Sequence, residues 1–189
     1  TSFADSAPVM AQAHLVVLAV KPQIMDSVLT DLVNSLKVTH VIISIAAGIT
    51  IQNIRHRLND AQNPVVRVMP NTPALIGEGM SALVSDQLLN EDIKTAVQEI
   101  FDTCGHALWV PNEQAIDAVT AVSGSGPAYF FLMIEYLINT GVRLGLSPEV
   151  TRALVTQTAK GAAGMVERLD VGPDVLRQRV TSPGGTTEA

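Results

Sequence analysis

The sequence predicts an α/β domain with a parallel sheet, followed by a domain built only of helices. Three observations support this fold class. Short β-branched runs alternate with amphipathic stretches in the first half, the alternation stops at Pro111, and only helical periodicity follows. With 47% hydrophobic and 16% charged residues, the 189-residue chain can bury a core and is unlike a disordered chain. We place the two domains at residues 1–111 and 112–189.

Three apolar runs in the first domain predict buried strands, at His14–Val20, His40–Thr50 and Val65–Met69, and the second of these strands should break at Ala46-Ala47-Gly48. The stretches between them predict helices over Gln23–Leu36 and Ile51–Leu58, because their apolar residues share one helical face. Alternating strands and helices at this spacing predict parallel strands joined by right-handed crossovers.

Two further strands are expected at Met80–Val84 and Ala107–Val110. Between them, Asn90 is a suitable N-cap for a helix that runs to Cys104 and stops at Gly105.

The second domain should begin with a long helix, Pro127–Leu144, that is apolar nearly all round and must be covered on most sides. Ser147 should cap the next helix, in which we expect Gly161 and Gly164 to cause interruptions that allow close contact with another helix. The last predicted helix is Pro173–Val180.

Small or special residues follow each of the first three strands, at the edge where parallel sheets bind ligands. These segments are Ala19-Val20-Lys21-Pro22, Ser44 to Gly48 with Ala46 and Ala47, and Met69-Pro70-Asn71. Small side chains allow a ligand close to the backbone, and Lys21 could face a phosphate or ribose. Each segment alone could equally be an ordinary strand-end turn.

Two glycine-rich loops are candidate anion sites. In TSPGGTTEA, Gly184 and Gly185 can direct successive N–H groups at one point, which suits a carboxylate, although a helix-start turn would look the same. The Ser123–Pro127 loop, SGSGP, could also bind an anion, but we favour a tight interdomain turn.

The inventory of catalytic groups is nearly empty. No Ser/His/Asp arrangement and no His, Cys or carboxylate cluster has catalytic or metal-ligand spacing, so the reactivity should come from a cofactor or the substrate. Glu113 is the one carboxylate that we place near the cleft. The net charge of −6, without basic clusters, argues against nucleic acid as a partner.

Compartment and membrane contact can also be predicted. The single cysteine, Cys104, is expected to be a buried small apolar residue, which suits a reducing compartment such as the cytoplasm. No consecutive apolar run approaches the roughly 18 residues of a membrane span, so we expect no membrane contact.

Five motifs in order resemble the pyrroline-5-carboxylate reductase family. They are AVKPQ, SIAAGIT, VRVMPNTPALIGEGMSAL, AIDAVTAVSGSGPAY and TSPGGTT, and the resemblance runs from about Leu15 to the end. It implies a Rossmann-type NAD(P)-binding domain followed by an all-α dimerisation domain. It also implies reduction of 1-pyrroline-5-carboxylate to L-proline by NADPH or NADH, in a homodimer or a larger ring.

The resemblance also implies roles for individual residues. The family's cofactor contacts fall on Ala19, Val20, Lys21, Pro22, Ala46, Ala47, Met69, Pro70 and Asn71. Its substrate contacts fall on Glu113, Ser182, Gly184, Gly185, Thr186 and Thr187, with the Thr187 hydroxyl near the imine nitrogen as the catalytic group. The family's Gly-rich dinucleotide fingerprint and its last helices are not in this sequence, so we expect a partial domain at each end and weak cofactor binding by this stretch alone.

Three other functions were weighed. A β-hydroxyacid dehydrogenase needs a G-x-x-x-K-x-x-x-N motif, but Thr156 and Gly164 flank Lys160 where Gly and Asn would stand. A ketol-acid reductoisomerase would need carboxylates for Mg²⁺ on its helices, and no such cluster is apparent. A non-catalytic sensing or oligomerising module would have no need of a carboxylate-binding loop.

Overall fold

Five strands form one sheet in the order β1-β2-β3-β4-β5 in the computed structural model, which describes residues 7–181 and 185. The strands are β1 (Leu15–Leu18), β2 (Val41–Ser44), β3 (Val65–Met69), β4 (Gly79–Ser85) and β5 (Gly105–Trp109). The helices are α1 (Ala7–Met10), α2 (Met25–Val33), α3 (Ile51–Arg57), α4 (Glu91–Asp102), α5 (Ala115–Val119), α6 (Gly126–Arg143), α7 (Pro148–Arg168) and α8 (Pro173–Val180). Short 3₁₀ turns lie at Pro22–Ile24 and Thr72–Ile76.

The first three strands are parallel, as predicted, and they end at the same edge of the sheet. Leu18 lies opposite Ser44, and Ser44 lies opposite Arg67. Strand β4 instead runs antiparallel to β3, and β5 is parallel to β4. The connection from Met69 to Gly79 is too short for a parallel crossover, which needs about a dozen residues or more.

Helices cover both faces of the sheet, which explains the continuous apolar strands. Neighbouring residues of one strand serve different cores: Ile42 packs with residues of α2 and α3, whereas Ile43 packs with residues of α4. Both isoleucines are fully buried. A strand covered on both faces carries apolar side chains in both directions, so it shows no alternation of polar and apolar residues.

Side-chain caps begin three helices. The Asn90 Oδ1 accepts from the Ile93 N–H at 2.8 Å at the start of α4, and the Ser147 Oγ accepts from the Val150 N–H at 3.2 Å at the start of α7. Both predicted caps are thus confirmed. The Thr50 hydroxyl caps α3 in the same way.

The chain divides into two compact units, Thr1–Pro127 and Ala128–Ala189. The domain boundary that the sequence predicts, after residue 111, lies earlier in the chain than the division between these two units. It stays a prediction about domain organisation.

Helix α7 in the second unit runs without a break through Gly161 and Gly164, so the predicted interruptions are wrong. A Cβ at either glycine would meet no described atom within 4 Å. A helix tolerates such residues at about 1 kcal/mol each relative to Ala. The close approach lies elsewhere: a Cβ at Gly141 of α6 would lie 2.5 Å from the Cγ2 of the buried Thr151 in α7.

One helical stretch in the described part of the chain, Ala115–Arg143, is long and apolar enough to cross a membrane by length and composition. The mean hydropathy of an 18-residue window in this stretch reaches 1.2, although the window is not an uninterrupted run of apolar residues. Large side chains of α6, including Tyr129, Phe130 and Phe131, are mostly exposed on the single chain. Length and composition alone are weak grounds for a membrane span, because core helices of soluble proteins share them.

Candidate active site at the carboxyl edge of the sheet

The segment after β1 lies open at the carboxyl edge of the sheet. Ala19 and Lys21 are exposed, and Val20 and Pro22 are half-buried. Lys21 is in an extended conformation because Pro22 follows it and begins the 3₁₀ turn. The Lys21 ammonium group is therefore available to an anionic ligand at this edge.

The turn after β2 is fixed from both ends. The Ala46 N–H donates to the buried Ser44 hydroxyl at 3.3 Å, and the Ile49 N–H donates to the Ala46 carbonyl at 3.4 Å. Gly48 has a φ of +75°, which an L side chain rarely adopts. Ala46 is buried and Ala47 is exposed, so the methyl of Ala47 and the adjacent backbone form the surface that a ligand would meet.

The turn after β3 is held by the side chain of Asn71. Its Oδ1 accepts from the Met80 N–H at 2.8 Å, and its Nδ2 donates to the Ser123 carbonyl at 3.1 Å. The amide group is thus committed within the protein. What the Met69-Pro70-Asn71 turn offers a ligand is chiefly its backbone and the half-buried side chains of Met69 and Pro70.

The predicted Gly/Ser loop at Ser123–Pro127 is wrong, because a π-helical turn, Thr120–Gly124, joins α5 to α6 there. The Ser125 N–H donates to the Thr120 carbonyl, five residues back, at 2.7 Å. The Thr120 and Ser123 hydroxyls donate to carbonyls four residues before them, at 2.7 and 3.2 Å. The Ile116 carbonyl also accepts from the Thr120 backbone N–H, so these side-chain bonds add to the backbone bonding of the segment, and such back-bonding often accompanies a bend in a helix.

A buried ion pair lies beneath the same edge. The Arg67 Nη1 donates to the Glu113 Oε1 at 2.8 Å, and that oxygen also accepts from the Ile51 N–H at 2.9 Å. Arg67 is only 6% exposed. Glu113 therefore neutralises a charge in the sheet and caps the first turn of α3, and its contact with substrate stays a prediction.

The sequence reading missed Arg67. The available signal was an arginine inside the apolar strand VVRVM, since a buried charge needs a partner. The partner lies 46 positions away along the chain, so the spacing of residues could not identify it.

The predicted carboxylate loop falls largely outside the described residues. Ser182, Gly184, Thr186 and Thr187 lie there, and only Gly185, which is half-buried, is described. Among residues 7–181 and 185, no group of three or more His, Cys, Asp or Glu could hold a metal ion. Cys104 is exposed in the turn between α4 and β5, so its predicted burial is wrong.

The chemistry of the residues at the sheet edge suits a dinucleotide. The segments after three neighbouring strands present an ammonium group at Lys21, a methyl-lined turn at Ala47 and a half-buried thioether at Met69. A nicotinamide dinucleotide has anionic phosphates and flat apolar faces, so a cation and small apolar side chains at this edge are groups that it could contact.

Comparison with known proteins gives two family models and many relatives. Residues 113–189 match the model described as pyrroline-5-carboxylate reductase dimerisation, and residues 2–48 match the model described as NADP oxidoreductase, coenzyme F420-dependent. The pyrroline-5-carboxylate reductase of Pseudomonas aeruginosa is 47% identical over 98% of this chain and 67% of its own length. That of Mycobacterium leprae is 43% identical over the whole chain and 70% of its own length.

A solved structure agrees with these relatives. Plasmodium falciparum pyrroline carboxylate reductase, crystallised with NADP bound, is 38% identical and superposes with a TM-score of 0.90. The match covers 98% of this chain and 70% of that one, so this chain spans about two thirds of the length of its relatives. These matches confirm the resemblance and the fold class: the chain belongs to the pyrroline-5-carboxylate reductase family.

Proposed function

We propose that this chain carries the reductase activity of its family, reducing 1-pyrroline-5-carboxylate to L-proline, the last step of proline biosynthesis. The observation that supports this most is identity above 40% to curated reductases over nearly the whole chain. Four of the five motifs that suggested the family fall on the strand ends and on the π-helical turn.

The cofactor is NADPH or NADH, and when bound it supplies the hydride. Lys21 would approach the phosphates or a ribose, and the Ala46-Ala47 turn would follow the dinucleotide across β2. The Met69-Pro70-Asn71 turn would lie beside the nicotinamide, with its backbone held by the Asn71 amide. Ala19, Val20 and Pro22 complete the cofactor surface after β1.

The substrate is a cyclic imine that needs little activation. Once the ring nitrogen is protonated, the adjacent carbon accepts hydride and the nitrogen becomes the secondary amine of proline. Backbone N–H groups of the Ser182–Thr187 loop would bind the carboxylate, and the Thr187 hydroxyl would orient the nitrogen and relay its proton. Glu113 would stand near the substrate through its second oxygen, since Oε1 already accepts two hydrogen bonds.

The enzyme should work as a homodimer formed through the helical domain, and a larger ring is consistent with the same surface. The dimerisation model that matches residues 113–189 and the exposed aromatic residues of α6 support this assembly. A partner helix would remove those apolar side chains from water, so the apolar character of α6 does not require a membrane. We expect the enzyme in the cytoplasm, with neither membrane nor nucleic acid as a partner.

The experiment is loss of NADPH absorbance with pyrroline-5-carboxylate, in the full-length enzyme and in its Thr187→Ala and Thr187→Ser variants. Thr187→Ala should lower kcat by about two to four orders of magnitude, and Thr187→Ser should retain most of it because the hydroxyl remains. Unchanged kcat in Thr187→Ala would remove that residue from the mechanism. No turnover by the unmodified enzyme with either NADPH or NADH would refute the proposed function.

A further inference from the structure

The turn after β3 touches the π-helical turn at two points. One is the hydrogen bond from the Asn71 Nδ2 to the Ser123 carbonyl. In an α-helix that carbonyl would accept from the N–H four residues later, but residue 127 is a proline and has none. The Asn71 side chain supplies the donor that Pro127 lacks, and this hydrogen bond ties the two turns together.

The second point is the contact between Met69 and Gly124. A Cβ at residue 124 would lie 2.5 Å from the Met69 Cε and 3.8 Å from its Cγ. Gly124 does not have a positive φ, so its backbone would accept alanine. The absence of a side chain at Gly124 therefore makes room for the end of Met69 and does not serve a special backbone conformation.

The other side of the π-helical turn is less constrained. An apolar cavity of about 370 Å³ separates it from β4 and β5, lined by Met80, Leu108, Val119 and Val122 among others. The contacts with Asn71 and Met69 tie the π-helical turn to the end of β3.

We propose that Gly124 is a positioning residue for the nicotinamide cofactor: by accommodating the end of the Met69 side chain, it sets where the Met69 thioether lies at the carboxyl edge of the sheet. The proposal rests on the proposed function, because it takes this turn to face the nicotinamide. It also gives a role to Gly124 of the SGSGP motif.

The test is a double-mutant cycle of Gly124→Ala and Met69→Ala in the full-length enzyme, read by fluorescence titration with NADPH and by thermal unfolding. Gly124→Ala should raise the NADPH Kd by about tenfold, because the added methyl displaces the thioether. Its melting temperature should stay the same or rise, since alanine favours a helix over glycine. In the Met69→Ala background the same change should alter the Kd by less than about twofold.

Gly161→Ala is the matched control, because it adds the same methyl to a helical glycine that is exposed on the single chain, has no described atom within 4 Å and lies outside the unit that contains the cofactor edge. It should leave the Kd unchanged. The proposal is overturned if Gly124→Ala binds NADPH as tightly as the unmodified enzyme, or if its effect is equally large without Met69. An enzyme that passes the cycle but does not reduce pyrroline-5-carboxylate would refute the proposed function and leave the positioning role of Gly124 supported.

Discussion

Replacing Glu113 with alanine should leave the buried guanidinium of Arg67 without its counter-ion. The side chain of Arg67 is 8% exposed and that of Glu113 is 29% exposed, so water can reach the site only from the carboxylate side. Removing one partner of a buried ion pair lowers the free energy of unfolding by about 3–5 kcal/mol, and the partial exposure of Glu113 favours the lower end of that range, about 3 kcal/mol. The Ile51 N–H also loses its acceptor, but as a helix N-terminal group it can bond to water.

Two further variants separate charge from packing. Glu113→Gln keeps an oxygen that can accept hydrogen bonds from Ile51 and Arg67. It should therefore lose only the part of the stability that depends on the carboxylate charge, about 1–2 kcal/mol of the free energy of unfolding. The double variant Arg67→Met, Glu113→Leu removes both charges. Its free energy of unfolding should lie within about 1 kcal/mol of that of the unmodified protein.

Urea unfolding followed by the fluorescence of Trp109 is the suitable assay, because this single tryptophan lies at the end of β5 in the same compact unit. Glu99→Gln, on an exposed position of α4, should change stability by less than about 0.5 kcal/mol and serves as the control. A loss below about 1 kcal/mol for Glu113→Ala, or a double variant as unstable as Glu113→Ala, would refute this account of the pair.

Two smaller predictions concern the surface of the first unit. Asp86→Asn should cost about 1 kcal/mol, because Asp86 accepts two hydrogen bonds from Arg55, at 2.5 and 2.8 Å, on a partly exposed surface. The hydrogen bonds that Arg55 donates to Asp86 raise the pKa of Arg55 above its usual range, so the stability that the guanidinium contributes is present below that range and is lost only as pH rises through the raised value. Urea midpoints of the unmodified protein and the variant should therefore differ equally at about pH 7 and pH 10, and a difference that vanishes at pH 10 would contradict this. Asn90→Ala should cost about 1 kcal/mol by removing the cap of α4, whereas Asn90→Asp should cost little, and equal losses in the two variants would show that the cap is not the cause.

Local features of the fold were predictable from the sequence because they depend on neighbouring residues. The three parallel strands follow from uninterrupted β-branched runs, and the helix starts follow from the caps at Asn90 and Ser147. The same local rules failed for Cys104, which lies in a turn where the backbone directs its side chain to solvent.

Features that depend on distant contacts were not predictable in the same way. The direction of β4 depends on a connection too short for a crossover, which the sequence reading did not weigh. The π-helical turn depends on donors to its carbonyl groups. One of them, the Asn71 side-chain amide, comes near the Ser123 carbonyl only in the folded chain. The contacts of Thr187 with substrate stay a prediction from the family motif.

The contact between Gly141 and Thr151 limits how these two positions can vary among related proteins. Thr151 is 2% exposed, and its Cγ2 fills the space that a side chain at residue 141 would occupy. A relative that carries alanine at 141 should therefore carry a smaller residue, such as serine or alanine, at 151, while glycine at 141 leaves room for threonine. The two positions should therefore vary together. A library that randomises position 141 while keeping Thr151 would contain mainly sequences in which α6 and α7 cannot pack as closely as they do here.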